Sequence, residues 1–255
     1  MKLVIWLIKK TEALSALSVR LVYWTGKAKV PIHPKHLIRK DTDIWYKNLL
    51  NKKMVILDAG CGSGQHSNLA AKYVKKIIGI DNQQSNIKIA QTDAKNKKIN
   101  NVEFILGNLE KKISLQSGSV NLAILFDILE HIINRQKFLK EIKRLLKNKG
   151  IVLVVIPNNE TSWKKFQRKY GIKSFSDPDH KIEYTKESIT KELGKAGFQV
   201  RNITPISYDT PWVGFIDLIG GISLALYKRL SRWKLKMLKL HPENCSGYQI
   251  IASKI

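Results

Sequence analysis

Val55-Ile-Leu-Asp58-Ala-Gly60-Cys61-Gly62-Ser-Gly64-Gln65-His-Ser67 is the stretch from which the rest of the chain is best read. Met54 to Leu57 form a short apolar run suited to a strand buried on both faces. The run stops at the carboxylate of Asp58, and glycines follow at every second position, Gly60, Gly62 and Gly64. Residues without a Cβ let the backbone turn sharply and come close to a ligand. A helix starting near Gly64 would aim free N–H groups at the same place.

The spacing discriminates between ligands. A dinucleotide fingerprint has its third glycine three positions after the second, and Gln65 stands there, with Gly64 one place early. Asp58 would also repel a pyrophosphate, whereas it suits a ligand that carries an ammonium group. Roughly 20 residues further on, the apolar run from Lys76 to Ile80 ends in Asp81, where a carboxylate can accept both hydroxyls of a ribose.

These residues, with Phe126-Asp127-Ile128-Leu129-Glu130-His131, resemble the class I S-adenosylmethionine-dependent methyltransferases. The Leu-Glu-His-Ile ending is similar to the small-molecule branch that includes quinone-biosynthesis O-methyltransferases. The resemblance covers roughly Asn51 to Ala196. It implies S-adenosylmethionine as cofactor, held by Asp58, Gly60, Cys61, Gly62, Gly64, Asp81, Asn82, Asn108, Leu109, Phe126 and Asp127. The family usually has an acidic residue where Asn108 stands, but an asparagine amide oxygen can still accept from an adenine amino group.

The order of elements agrees with that family. Strands are expected at Lys76–Ile80, Val102–Leu106, Val120–Phe126, Gly150–Ile156, Gln199–Ile203 and Tyr248–Ala252. Helices are expected at Gln65–Tyr73, Ser85–Asn96 with Ser85 as cap, Lys137–Leu146 and Glu187–Ala196. Alternation of this kind predicts a doubly wound, Rossmann-like α/β fold. The resemblance makes its sheet seven-stranded and mostly parallel, with an antiparallel last strand, plus helical additions. Residues 1–50 are expected to form an N-terminal helical extension. The methyltransferase domain then spans 51–255 and carries a helical insertion over 207–245. Within the extension, residues 3 to 24 have helical spacing through Trp6, Leu7, Leu14, Leu17, Leu21 and Trp24, and Asp41–Leu50 reads as a helix entering the core.

Composition narrows the partners. With 255 residues, 44% of them hydrophobic, the chain can bury a sizeable core. A formal net charge of +25 invites RNA or an acidic membrane surface, yet the lysine pairs are scattered from Lys9-Lys10 to Lys164-Lys165, as in a solvated basic surface. Two cysteines, Cys61 and Cys245, allow neither a disulfide framework nor zinc spacing, and a reducing, cytoplasmic setting is expected. The N-terminal apolar run is too short for a secretory segment and is expected to be retained. His33 and His36 read as solvated or capping histidines.

Methyl transfer from a sulfonium needs alignment and, for a hydroxyl acceptor, a base. Asp127, Glu130 and His131 stand at helical spacing. His131, taken as catalytic, is a general base, a partner to Glu130 that fixes the turn, or part of a divalent-metal site with both carboxylates, as some related quinone O-methyltransferases suggest. No metal ligand is assigned. Transfer to a base amino group usually calls for an Asn/Asp-Pro-Pro-aromatic segment, absent after the fourth strand; cytosine C5 attack needs a thiolate that neither cysteine supplies. The acceptor is therefore expected to be small or lipid-like, with RNA methylation and a non-catalytic interaction protein as alternatives. Pro157–Tyr184 brings Trp163, Phe166, Tyr170, Phe175, His180 and Tyr184 as a loop-rich acceptor wall. Trp212–Lys239 begins apolar and turns basic, a pattern that suits contact with an anionic membrane at its inner face, capping of the pocket or packing in a dimer.

Overall fold

Runs of branched aliphatic residues set the middle of the sheet. In this computed structural model, which describes residues 1, 3, 5, 6, 10, 14–29, 31–38 and 44–255 (His36 by its backbone only), β1 is Val55–Ala59, β2 Lys76–Asp81, β3 Val102–Leu106, β4 Val120–Phe126 and β5 Leu146–Pro157. Two longer strands, β6 (Phe198–Tyr208) and β7 (Cys245–Lys254), complete a seven-stranded sheet of order β3-β2-β1-β4-β5-β7-β6. It is mostly parallel with one antiparallel strand. Ile56, Ile77 and Leu122 lie side by side in register and are fully buried, as central strands covered on both faces require.

Strand β1 pairs with β2 on one side and β4 on the other, so the chain's direction of winding reverses at β1. In open α/β sheets the ligand crevice lies beyond the strand ends at that reversal. Asp58 is in register there between Gly79 and Ile124.

The chain divides into two compact units. One comprises Ile44–Pro157, Asp177–Thr204 and Tyr248–Ile255, and holds most of the sheet. Its core joins Tyr46, Ile56, Ile77, Leu122 and Leu153, with Trp45 and Phe126 packed against them. Its helices are Gln65–Ala70 (extended by a 3-10 turn, Ala71–Tyr73), Gln84–Asn96, Arg135–Leu145 and Lys186–Lys195. Asn134 caps the third by accepting from the Lys137 N–H, and Thr185 and Ser188 form a capping box on the fourth.

The second unit comprises Met1–Asp43, Asn158–Ser176 and Pro205–Gly247. We label its helices α1 (Leu14–Trp24), α2 (Pro34–Ile38), α3 (Ser162–Lys169), α4 (Val213–Ile222) and α5 (Leu224–Leu240). Helices α1 and α4 pack together closely. A Cβ on Gly221 would lie 2.7 Å from that of Leu21, so only glycine permits this approach. The buried carboxylate of Asp217 gathers the unit. It accepts from Ser15 Oγ at 2.6 Å and Tyr227 Oη at 3.1 Å, and faces His33 Nε2 at 3.2 Å. His33 is thus a paired histidine; its Nδ1 accepts the Lys35 N–H. Among the described residues no helix is long and apolar enough to cross a membrane.

Several boundaries differ from the sequence expectation, each for a local reason. Ser85 is not a cap: the helix starts at Gln84, and the Asp81 carboxylate accepts the Gln83 N–H in its stead. Strand β5 starts at Leu146 instead of Gly150, through an irregularity in its pairing with β4 between Val120 and Leu122. Leu7 and residues 39–43 lie outside the described residues; Ile44–Leu50 form a turn and a 3-10 segment, Lys47–Leu49, where a helix was expected. The loop-rich stretch Pro157–Tyr184 contains one short helix, α3, capped by Thr161, and the helical insertion is two helices separated at Ser223.

Replacing Asp217 with alanine leaves two hydroxyls and an imidazole without their shared acceptor, and should lower stability by roughly 2–4 kcal/mol at pH 7. Burial raises the Asp217 carboxyl, but His33, Ser15 and Tyr227 outweigh it and hold it below the ordinary value. Its contribution is therefore complete above the unfolded carboxylate range and fades as pH falls through the folded value. Thermal unfolding of both proteins should accordingly show the gap narrowing below about pH 4.

Candidate active site

The turn after β1 is built from three left-handed glycines, with φ of +80° at Gly60, +50° at Gly62 and +76° at Gly64. They serve different purposes. A side chain at Gly60 would collide with Ile128, whose Cγ1 is 2.2 Å from the Cβ position; one at Gly64 would meet Phe104 and Ala90 below 3 Å. At Gly62 nothing lies within 4 Å, so this is where the loop's backbone stays open to an incoming group. The N–H groups of Gly60 and Cys61 both donate to the Ile80 carbonyl, fastening the loop to β2.

Two carboxylates flank the loop. Asp81 Oδ2 accepts the Gly62 N–H at 2.9 Å, while Oδ1 accepts from Gln83 N–H at 2.9 Å and Asn86 Nδ2 at 3.3 Å. Asp58 is 3 % exposed and accepts from Ser67 Oγ at 2.6 Å. Burial pushes its carboxyl up to about 6; the Ser67 hydroxyl offsets part of this, and the charge of Asp81 adds to it. Asp58 therefore sits where a cation would relieve an unfavourable charge. Cys61 is buried too, and burial beside the two carboxylates raises its thiol far above the ordinary value, so it is not a nucleophile.

Beyond β4 the chain makes a turn in place of the helical turn expected, with the His131 N–H donating to the Ile128 carbonyl at 3.0 Å. Asp127 is exposed with a left-handed φ of +53°, and it is not among the residues whose ligand atoms cluster with those of Glu130 and His131. His180 takes that place: one ligand atom from each of Glu130, His131 and His180 lies within 4.8 Å of the others. The imidazoles of His131 and His180 meet edge to face at 4.9 Å, and His180 Nδ1 is 3.0 Å from Glu183 Oε1. The Lys181 N–H donates to the Glu130 carbonyl at 2.7 Å, which holds the two segments together. Glu130 is 1 % exposed, and among the described residues its Oε2 has no hydrogen-bond partner. Burial, reinforced by Asp127, Glu183 and Asp177, pushes its carboxyl up to about 8. The cluster combines proton-accepting imidazoles with a carboxyl group that keeps its proton at neutral pH, and its donor set would also suit a divalent cation.

The remaining predicted residues fall around these groups. Asn82 is exposed beside Asp81, and Leu109 is buried. The Asn108 amide oxygen accepts the Glu110 N–H at 2.8 Å, leaving one lone pair for an adenine amino group. Phe126 stacks on Trp45 at 5.9 Å and meets His66 at 4.8 Å. Sequence reading missed Trp45, His66 and Glu183. For Glu183 the signal was a carboxylate three residues after His180; the aromatic contacts join distant segments and carried none.

Comparison with known proteins gives a consistent outcome. The family described as Methyltransferase domain matches residues 50–203. A probable S-adenosylmethionine-dependent methyltransferase of Mycolicibacterium smegmatis is 29% identical over 147 residues, 58% of this chain and 52% of that protein. A ubiquinone biosynthesis O-methyltransferase of Rickettsia akari is 31% identical over 126 residues, 49% of this chain and 47% of that protein. The chain thus spans about half the length of these curated relatives. Among solved structures, a methyltransferase of Aquifex aeolicus shares the fold with TM-score 0.56, 17% identity and 98% coverage of both chains. The [4+2]-cyclase SpnF has the same fold, with TM-score 0.60 and 18% identity over 81% of this chain and 76% of its own, so the architecture alone does not name a reaction.

The glycines should separate by experiment. Gly60→Ala must displace Ile128 as well as strain the backbone, and should cost roughly 2–5 kcal/mol of stability. Gly62→Ala meets open space and should cost only about 1–2 kcal/mol, while weakening S-adenosylmethionine binding, measured by calorimetry, by more than its small fall in stability implies.

Proposed function

Because the chain belongs to the class I S-adenosylmethionine-dependent methyltransferases, we propose that it methylates a hydroxyl group of a small or lipidic acceptor. The observation that carries this reading is the Glu130–His131–His180 cluster just beyond β4, whose imidazoles are of the kind that can accept a hydroxyl proton. The similarity to a ubiquinone biosynthesis O-methyltransferase supports it.

The strand-tip residues fit the methyl donor. Gly62 leaves room for close approach, Asp81 is fixed by the loop and the following helix, and Asp58 is a buried carboxylate whose charge a ligand ammonium group would stabilise. When bound, S-adenosylmethionine supplies a methyl group on a positively charged sulfur. The chain's own contribution is to hold and orient. Asp58 would balance the ammonium group, Asp81 and Asn82 would take the ribose hydroxyls, and Asn108 and Leu109 would border the adenine. His131 removes the acceptor's proton, and Glu183 holds the imidazole of His180 beside it.

One observation favours a different acceptor. A cleft of about 340 Å³ between Leu109 and Arg144 is lined by Lys111, Lys112, Lys137 and Lys140 alongside Glu110 and Glu141, a net basic setting that suits a phosphate backbone. Incubation with isotopically labelled donor and extracts from the source cell distinguishes the two readings. Label in the lipid or small-molecule fraction supports O-methylation, and label in RNA replaces it.

His131→Ala should lower turnover by roughly two to four orders of magnitude while donor affinity and melting temperature stay unchanged; a fall in melting temperature of the same variant would assign His131 to shaping the turn. Donor binding should also depend on pH. Because the ligand's ammonium group favours ionised Asp58, binding should release a proton near pH 6 and tighten by roughly tenfold from pH 5 to pH 7. Calorimetry on Asp58→Asn should give weaker binding without this slope.

A further inference from the structure

Helix α5 carries a surface that methyl transfer does not use. It has seventeen residues, of which Tyr227 alone is buried, and it contains no acidic side chain. At 100° per residue, Lys228, Arg229, Arg232, Lys236 and Lys239 fall within one arc of about 100°. Along the edge of that arc, seven residues apart, run Leu226, Trp233 and Leu240, which are 46 %, 41 % and 71 % exposed. Among the described residues none of the five cations has a carboxylate within ion-pair distance. The preceding helix α4 adds exposed Phe215 and Ile222.

Three occupants differ in how they would meet this face. RNA would engage the cations and could stack on Trp233, but Leu226, Leu240 and Ile222 offer nothing to a sugar-phosphate chain. A second copy in a two-fold contact would bring the same five cations opposite themselves with no acid on the helix to answer them. An anionic bilayer answers both features, since lipid phosphates meet the cations and the acyl boundary takes the leucines and the indole.

We infer that α5, with the exposed end of α4, is a docking face for an anionic membrane surface. The helix lies in the interface plane, with Leu226, Trp233 and Leu240 inserted and the five cations at headgroup level. Tyr208 meets the Trp233 ring edge to face at 6.1 Å, and the indole stays 41 % exposed. This attachment goes beyond the methyl-transfer reading and holds whichever acceptor is used.

The test is co-sedimentation of the full chain with vesicles of phosphatidylglycerol and phosphatidylcholine, against vesicles of phosphatidylcholine alone, at low and high salt. The protein should pellet with the anionic vesicles at low salt and be released by high salt. Each cation near an anionic leaflet is worth roughly fivefold in partitioning, so R229Q/R232Q/K236Q should lose on the order of a hundredfold. L226S/L240S should lose binding even at low salt. Melting temperature and S-adenosylmethionine affinity, which both variants should retain, serve as the folding checks. Equal binding to neutral and anionic vesicles overturns the proposal. So does binding of single-stranded RNA, or self-association lost in L226S/L240S, by a protein that leaves both kinds of vesicle in the supernatant.

Discussion

A carboxylate withdrawn from water has to be answered by donors, and at the tip of β2 Asp81 is answered by the chain itself. Its two oxygens take the N–H of Gly62 and the N–H of Gln83, so one side chain ties the glycine turn to the start of the next helix. Gly62, left-handed, presents its N–H this way; Gly60 and Gly64 are left-handed too, and packing against Ile128 and Phe104 leaves no room there for a side chain. The ligand crevice is therefore a consequence of packing beneath it. Asp58, one strand over, has only Ser67 as a hydroxyl donor and is the group whose charge remains to be balanced.

The second unit follows the same logic with a different result. Asp217 is buried and answered by Ser15, Tyr227 and His33, three residues from three parts of the chain, which converts one acidic residue on α4 into the junction of a helical assembly. Glycines again set the approach, with Gly221 admitting Leu21. What is left over is α5, which contributes one fully buried side chain and turns nearly all its cations outward.

How much of this could be read from residues alone depended on range. Strands β3 and β4 begin and end where the largely apolar segments Val102–Leu106 and Val120–Phe126 do, interrupted only by Glu103 and Asn121, because both are bounded by polar or glycine residues. The glycine turn, Asp58 and Asp81 were legible from spacing. Ser85 misled because a good capping residue was overruled by a carboxylate from the preceding strand tip. Asp127 misled because helical spacing was assumed across a segment that turns with a left-handed residue at its start. His180 was visible only as one of several histidines. Its pairing with Glu183 and its approach to His131 come from the fold, as does the placement of Trp45 and Tyr46 on Phe126.

Ile128 has a position that reaches beyond packing. Its side chain fills the volume that any residue larger than glycine at position 60 would claim, and it sits in the turn that also carries Glu130 and His131. The two halves of the crevice therefore share one steric hinge pin. Ile128 thus links the glycine turn to the histidine-bearing turn through packing alone, and any larger residue at position 60 would push on both.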